Sequence, residues 1–232
     1  AHYGAGSGFV PLYFRKRDGI RMVGIYNYTV LMTYFGVVSA VVGIGLAMYG
    51  RTSMAIVCLM ISGFCDLFDG SIAKTRKRNE QEKKFGIQID SLADMICFGV
   101  LPAAIGFSIG LTKWYEAAVL VLFVLAALIR LAYYNVTEDE LQFNEKTSRQ
   151  YYDGLPVTTV ALLVPLIYTL RPVMKNGFLL LYVICLLMTA VAFLTKFKVR
   201  KLGLKGMIAA ACCGAVVLVF LIIGWNTVGS AL

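Results

Sequence analysis

The sequence predicts an all-α, polytopic membrane helix bundle of about seven transmembrane helices, with its N-terminus in the cytoplasm. Three observations predict it. Of the 232 residues, 59% are in the set AVILMFWYC and only 15% are charged. Soluble domains carry about 45–50% apolar and about 25% charged residues. Apolar runs recur at roughly 26–49, 53–73, 86–110, 114–135, 155–171, 177–195 and 206–225. Most approach the ~20 residues that a spanning helix needs, and none alternates with the period of a barrel strand. Finally, the cations alternate between the segments that join these runs.

Each element follows from its residues. The stretch FRKRDGIRM (14–22) is basic, suits anionic lipid, and leads into span one, where Tyr26 and Tyr28 stand as interface aromatics. Spans two and three are joined by the charged stretch 74–85, so they are antiparallel neighbours. Trp114 marks the interface at the start of span four. Residues 136–154 form the longest polar connection, with room for a short surface helix. Gly154-Leu155-Pro156 opens span five with Pro in the first turn. With the N-terminus inside, seventeen Lys and Arg fall on inner segments and four on outer ones: Arg51, Lys113, Arg171 and Lys175. Arg130 sits within span four.

The net charge of +9 is therefore read as lipid-facing rather than as a nucleic-acid surface, since no basic aromatic patch occurs outside the spans. The six cysteines lie in apolar stretches without CxxC spacing, and read as small buried residues. The single histidine, His2, lies in the AHYGAGSG start and is given no role, which leaves no His-based acid–base chemistry. No cleavable signal peptide is expected at this start.

Four acids stand out because carboxylates in a bilayer are costly and mark function. Asp66 and Asp69 are i and i+3 on span two; Asp90 and Asp94 are i and i+4 on span three. Each pair shares a helix face, and both flank the same connection. Carboxylates that converge must be protonated or bridged by cations. Hard divalent ions such as Mg²⁺ or Mn²⁺ suit an all-oxygen site beside phosphates, and two of them suit in-line phosphoryl displacement. A cation or proton pathway, or pairing with the basic connection, stays open at this point. Gly70 and Gly86 fit a close backbone approach by a phosphate or nucleotide, or close helix packing, and Ala73 serves either.

The chain reads Asp66-x2-Asp69-Gly70-x2-Ala73-Lys74-x11-Gly86-x3-Asp90-x3-Asp94. This resembles the pattern D-x2-D-G-x2-A-R-x8-G-x3-D-x3-D of the CDP-alcohol phosphatidyltransferase family. Lys74 stands where that pattern has Arg, which keeps the charge but loses the bidentate fork. The stretch before Gly86 is three residues longer than the pattern, which predicts a longer cytoplasmic turn. The resemblance covers about residues 26–195 as a six-helix catalytic core. It leaves 1–25 as a tail with a basic juxtamembrane segment, and 196–232 as a basic loop with an additional transmembrane helix.

What the resemblance implies is specific. A hydroxyl attacks the β-phosphorus of a CDP-linked lipid and CMP leaves. Asp66, Asp69, Asp90 and Asp94 hold Mg²⁺ or Mn²⁺, two ions in all, and Asp94 also acts as general base. Asn27, Thr29, Asp66, Asp69, Gly70, Ala73, Lys74 and Gly86 face the cytidine diphosphate. The stretches 85–103, Arg130-Leu131-Ala132-Tyr133-Tyr134-Asn135 and Gly154-Leu155-Pro156 resemble the subgroup that takes CDP-diacylglycerol as donor and L-serine as acceptor. Sibling members take glycerol 3-phosphate or an inositol phosphate. Arg130, Asn135, Gly154 and Pro156 become candidates for the acceptor or lipid phosphate. Their other readings are snorkelling for Arg130, a helix cap for Asn135, and a helix start for Gly154 and Pro156. A homodimer and an active site at the cytoplasmic face are also implied.

Overall fold

The computed structural model describes residues 28–73, 79–143, 151–174, 177–200 and 204–229. Helix α1 is Tyr28–Met48 and α2 is Thr52–Ala73. Helix α3, Glu80–Asp94, runs on through a π-helical turn, Met95–Val100, into α4, Leu101–Ser108. Helix α5 spans Trp114–Phe143. A short strand β1, Tyr151–Asp153, and a 3₁₀ turn, Val157–Thr159, precede α6, Val160–Thr169. A four-residue turn α7, Arg171–Met174, leads to α8, Phe178–Leu194. Strand β2, Lys198–Arg200, precedes α9, Leu204–Gly229. The expected helix bundle is present. Among the described residues, four helical segments, Val30–Met48, Thr52–Asp69, Glu80–Ser108 and Trp114–Thr137, are long and apolar enough to cross a membrane. Three further apolar helices, at Val157–Thr169, Phe178–Leu194 and Ile208–Leu221, are shorter.

The bundle is held by small residues on facing stripes. Gly36, Ala40, Gly43 and Ala47 recur at helical spacing on α1, and they let α2 come close. A Cβ on Gly43 would stand 2.8 Å from Cys58 Cβ. Ser62 Oγ donates to the carbonyls of Gly36 at 2.9 Å and Cys58 at 3.0 Å, and Ser39 Oγ donates to Cys58 O at 3.0 Å. A Cβ on Gly63 would collide with Ala161 Cβ, so α2 and α6 also touch closely. On the far side, the buried Tyr182 hydroxyl donates to Pro102 O at 3.0 Å and fastens α8 to α4. Large apolar side chains such as Leu31, Phe35, Val121 and Met188 point outward, as a lipid-facing belt does.

Several expectations are corrected. Helix α3 begins at Glu80, so the connection before it is shorter than 74–85. Glu82 accepts the Asn79 N–H at 3.0 Å, and this reciprocal cap starts the helix inside the charged stretch. Helix α5 continues to Phe143, so residues 136–143 extend span four rather than forming a separate surface helix. Asn135 thus lies within α5 and caps nothing. Cys65 and Cys97 are buried, but Cys212 and Cys213 are exposed, because they sit on the outer side of α9.

Among the described residues, a ribbon of two three-residue strands accompanies the helices. Strand β1 pairs antiparallel with β2, Tyr152 opposite Val199. This ribbon ties the approach to α6 to the segment that follows α8. Beside it, the Gly154 N–H donates to Phe197 O at 2.6 Å. Gly154 has φ +97, and a Cβ there would stand 2.7 Å from Thr195 O and 3.2 Å from Arg130 Nη1. Only glycine fits this backbone and this space. Substitution Gly154→Ala is expected to destabilise the protein by about 1–3 kcal/mol, read as a lower unfolding temperature in detergent. Gly45→Ala, in α1 with nothing within 4 Å of its Cβ, is the control and should leave that temperature level or raise it.

Candidate active site

The C-terminal half of α2 and the C-terminal half of α3 carry the four acids. Their face-sharing spacing is preserved, because both segments are regular α-helix up to Asp94. Carboxylate oxygens of Asp66, Asp90 and Asp94 all lie within 4.8 Å of one another. The two halves of the motif, 24 positions apart in the chain at Asp66 and Asp90, therefore meet. Asp69 joins the same small cleft but not that trio. It is buried, and it accepts a hydrogen bond from Thr33 Oγ1 at 3.3 Å.

The donor set fits a metal. At an effective dielectric of about 20, two carboxylates at this spacing repel by about 3–4 kcal/mol. A divalent cation among them reverses that sign. All the donors are hard oxygens, as Mg²⁺ and Mn²⁺ require. Asp66, Asp90 and Asp94 are thus the residues that would hold such an ion, with Asp69 lining the same cleft.

The other nominated positions divide. Asn27 and Lys74 lie outside the described residues. Thr29, Gly70 and Ala73 fall on the helical backbone of α1 and α2, but their surroundings lie outside the described residues. Gly86 is half-buried within α3, one turn before Asp90. Arg130 is buried, and its Nε donates to Leu155 O at 3.2 Å. It therefore does not snorkel to water; it grips the loop that precedes α6. Pro156, in extended backbone, stands at the N-terminal boundary of the 3₁₀ turn, as the helix-start reading expects. Asn135 accepts from Ser91 Oγ at 2.6 Å, and its amide lies 3.4 Å from Gln88 Oε1. Ser91 directly follows Asp90, so this link fixes the rotation of α3 against α5. The side-chain oxygen of Asn135 is engaged in this link.

Sequence reasoning missed Thr33 and Ser91. Thr33 is a hydroxyl within the apolar run of α1, one turn after Thr29, and that was its signal. Ser91 carried none, since its role depends on how α3 and α5 are turned.

Comparison with known proteins is consistent with this geometry. A model of the family described as CDP-alcohol phosphatidyltransferase matches residues 26–195. The chain is 41% identical over 115 residues to a CDP-diacylglycerol–serine O-phosphatidyltransferase of Saccharomyces cerevisiae, covering 48% of this chain and 41% of that protein. It is 32% identical over 148 residues to a protein of the same description from Helicobacter pylori, covering 61% of this chain and 57% of that one. An archaetidylserine synthase of Methanothermobacter thermautotrophicus is 27% identical over 139 residues, covering 60% of this chain and 56% of its own. The chain spans about half the length of these relatives. The family match takes in more than half of the chain and all four aspartates, and the chain belongs to the CDP-alcohol phosphatidyltransferase family.

Proposed function

We propose that this chain transfers the phosphatidyl group of CDP-diacylglycerol to the hydroxyl of L-serine, giving phosphatidylserine and CMP. The observation that carries the transfer chemistry is the meeting of Asp66, Asp90 and Asp94 within 4.8 Å. The names of the relatives, each a serine-linked activity, support serine as acceptor.

The residues divide the work as follows. Asp66, Asp69, Asp90 and Asp94 would hold Mg²⁺ or Mn²⁺, which when bound would supply positive charge for the diphosphate and for the leaving CMP. Asp94 takes the proton of the serine hydroxyl as its oxygen bonds to the β-phosphorus. The phosphorus–oxygen bond to CMP breaks, and CMP leaves with the electron pair. Asn27, Thr29, Gly70, Ala73, Lys74 and Gly86 face the cytidine diphosphate, where the glycines admit a close backbone approach. Thr33 orients Asp69, and Asn135 acts through Ser91 to set Asp90 and Asp94. Arg130 positions the loop at Gly154–Pro156 on the acceptor side. The inner excess of Lys and Arg supports an active site at the cytoplasmic face.

Two results test this. Purified protein with CDP-diacylglycerol and Mn²⁺ is expected to release CMP when L-serine is added. It should not do so with glycerol 3-phosphate or an inositol phosphate; release with either of these alone would overturn the acceptor. Asp94→Asn is expected to lower CMP release by at least about 10²-fold, the low end for a general base, while CDP-diacylglycerol still binds. Full activity in that variant would remove Asp94 from the base role.

A further inference from the structure

The end of the bundle opposite the carboxylates carries a second cluster of polar and aromatic side chains. It lies where α2 begins, α6 ends and α8 begins. Ser53 stands there, 13 residues before Asp66, which is about 20 Å along the helix. The Tyr168 hydroxyl, near the end of α6, shares a 3.1 Å hydrogen bond with Ser53 Oγ. Arg171 Nη1 donates to the same hydroxyl at 2.9 Å. The guanidinium lies 5.5 Å from the centre of the Tyr168 ring and 5.9 Å from that of Phe178, the first residue of α8. Both distances are within reach of a cation–π contact. The two rings meet edge to face at 6.0 Å, and Phe178 is buried, so the clamp around the cation is itself fixed.

Arginine on a protein surface ordinarily meets a carboxylate. Among the described residues Arg171 makes no ion pair. The connections at this end, 49–52, 110–114 and 170–177, contain no Asp or Glu. The acid closest to them in the chain, Glu116, is buried and accepts the Lys113 N–H at 3.0 Å at the start of α5. The cation is therefore oriented by its neighbours without being neutralised by them. A guanidinium carries five N–H donors in a rigid fork. With Nη1 turned to Tyr168, the edge formed by Nε and Nη2 is left, and such an edge matches two oxygens of one phosphate. The depth also fits. Tyr49 and Trp114 are exposed at the same end, as aromatics at the head-group level of a bilayer are. Arg171 is exposed beside them, where lipid phosphates lie.

We propose that Arg171, braced by Tyr168, Phe178 and Ser53, binds the phosphodiester of one phospholipid in the leaflet opposite the candidate active site. The phosphate supplies the counter-charge that the chain lacks at this end, and it ties the corner between α6 and α8 to the start of α2. The proposal does not rest on the transferase reading.

Dioleoylphosphatidylglycerol titrated into the purified, delipidated protein is the probe, with bound lipids counted by native mass spectrometry. Dioleoylglycerol, which has the same chains and no phosphate, is the comparison. Arg171→Gln is expected to bind one phosphatidylglycerol fewer, or to need about tenfold or more of it for the same occupancy, the scale of a lost charged hydrogen bond. Dioleoylglycerol should not distinguish the two proteins, and helical content should be unchanged. Tyr168→Phe is the second variant, in case Arg171→Gln fails to fold. It keeps the cation and the ring, removes the hydroxyl that turns the fork, and should weaken the same binding severalfold. Equal phosphatidylglycerol binding by the wild type and both variants overturns the proposal. An equal loss of dioleoylglycerol also overturns it, because that reports a changed apolar surface and not a phosphate site. Displacement of the lipid by millimolar inorganic phosphate would assign the site to a free anion and overturn the lipid.

Discussion

Three carboxylates brought together inside an apolar bundle are the constraint on which the rest of this structure depends. Asp66, Asp90 and Asp94 lie within 4.8 Å of one another on helices built to cross a bilayer. Their mutual repulsion opposes the approach of α2 and α3 at these residues, and lipid offers no water to screen it. The arrangement makes chemical sense as a cation site. A helix pair selected only for stability would carry apolar residues at these positions.

The surrounding fold reads as the means of holding that arrangement. The small-residue stripe of α1 brings Thr33 within 3.3 Å of Asp69. The contact between Gly63 and Ala161 draws α6 against α2. The Ser91–Asn135 bond locks α3 to α5 beside Asp90. Arg130, Gly154 and the short ribbon then fix the loop that begins α6. Several of these contacts use Gly, Ala, Ser or Thr, which are the glue available where hydrophobicity does not drive helices together.

Much of this was legible in the sequence, and the reasons are physical. Runs of about 20 apolar residues have few alternatives in water or lipid, so the helical spans were readable. The aspartate spacing fixed which acids share a face, because the helical period does so directly. What could not be read depends on the relation between distant elements. The ribbon pairs three-residue strands far apart in the chain, as Tyr152 with Val199, and strands so short carry no periodic signal. The bond between Asn135 and Ser91 could not be read, because the rotation of α5 against α3 is invisible in a sequence. Exposure of Cys212 and Cys213 likewise depends on which face of α9 meets α6. The early start of α3 was readable in principle from Asn79 and Glu82, but the surrounding charges read as a turn.

The claim at the centre of this account is that the carboxylate trio is a divalent-cation site. Electron paramagnetic resonance of Mn²⁺ titrated into the purified protein tests it most directly, because bound and free Mn²⁺ give distinct signals without any turnover. Saturable binding that is lost in the Asp66→Asn/Asp90→Asn double variant, with the helical content of the variant unchanged, is the predicted result. Equal Mn²⁺ binding by the wild type and that variant would contradict it.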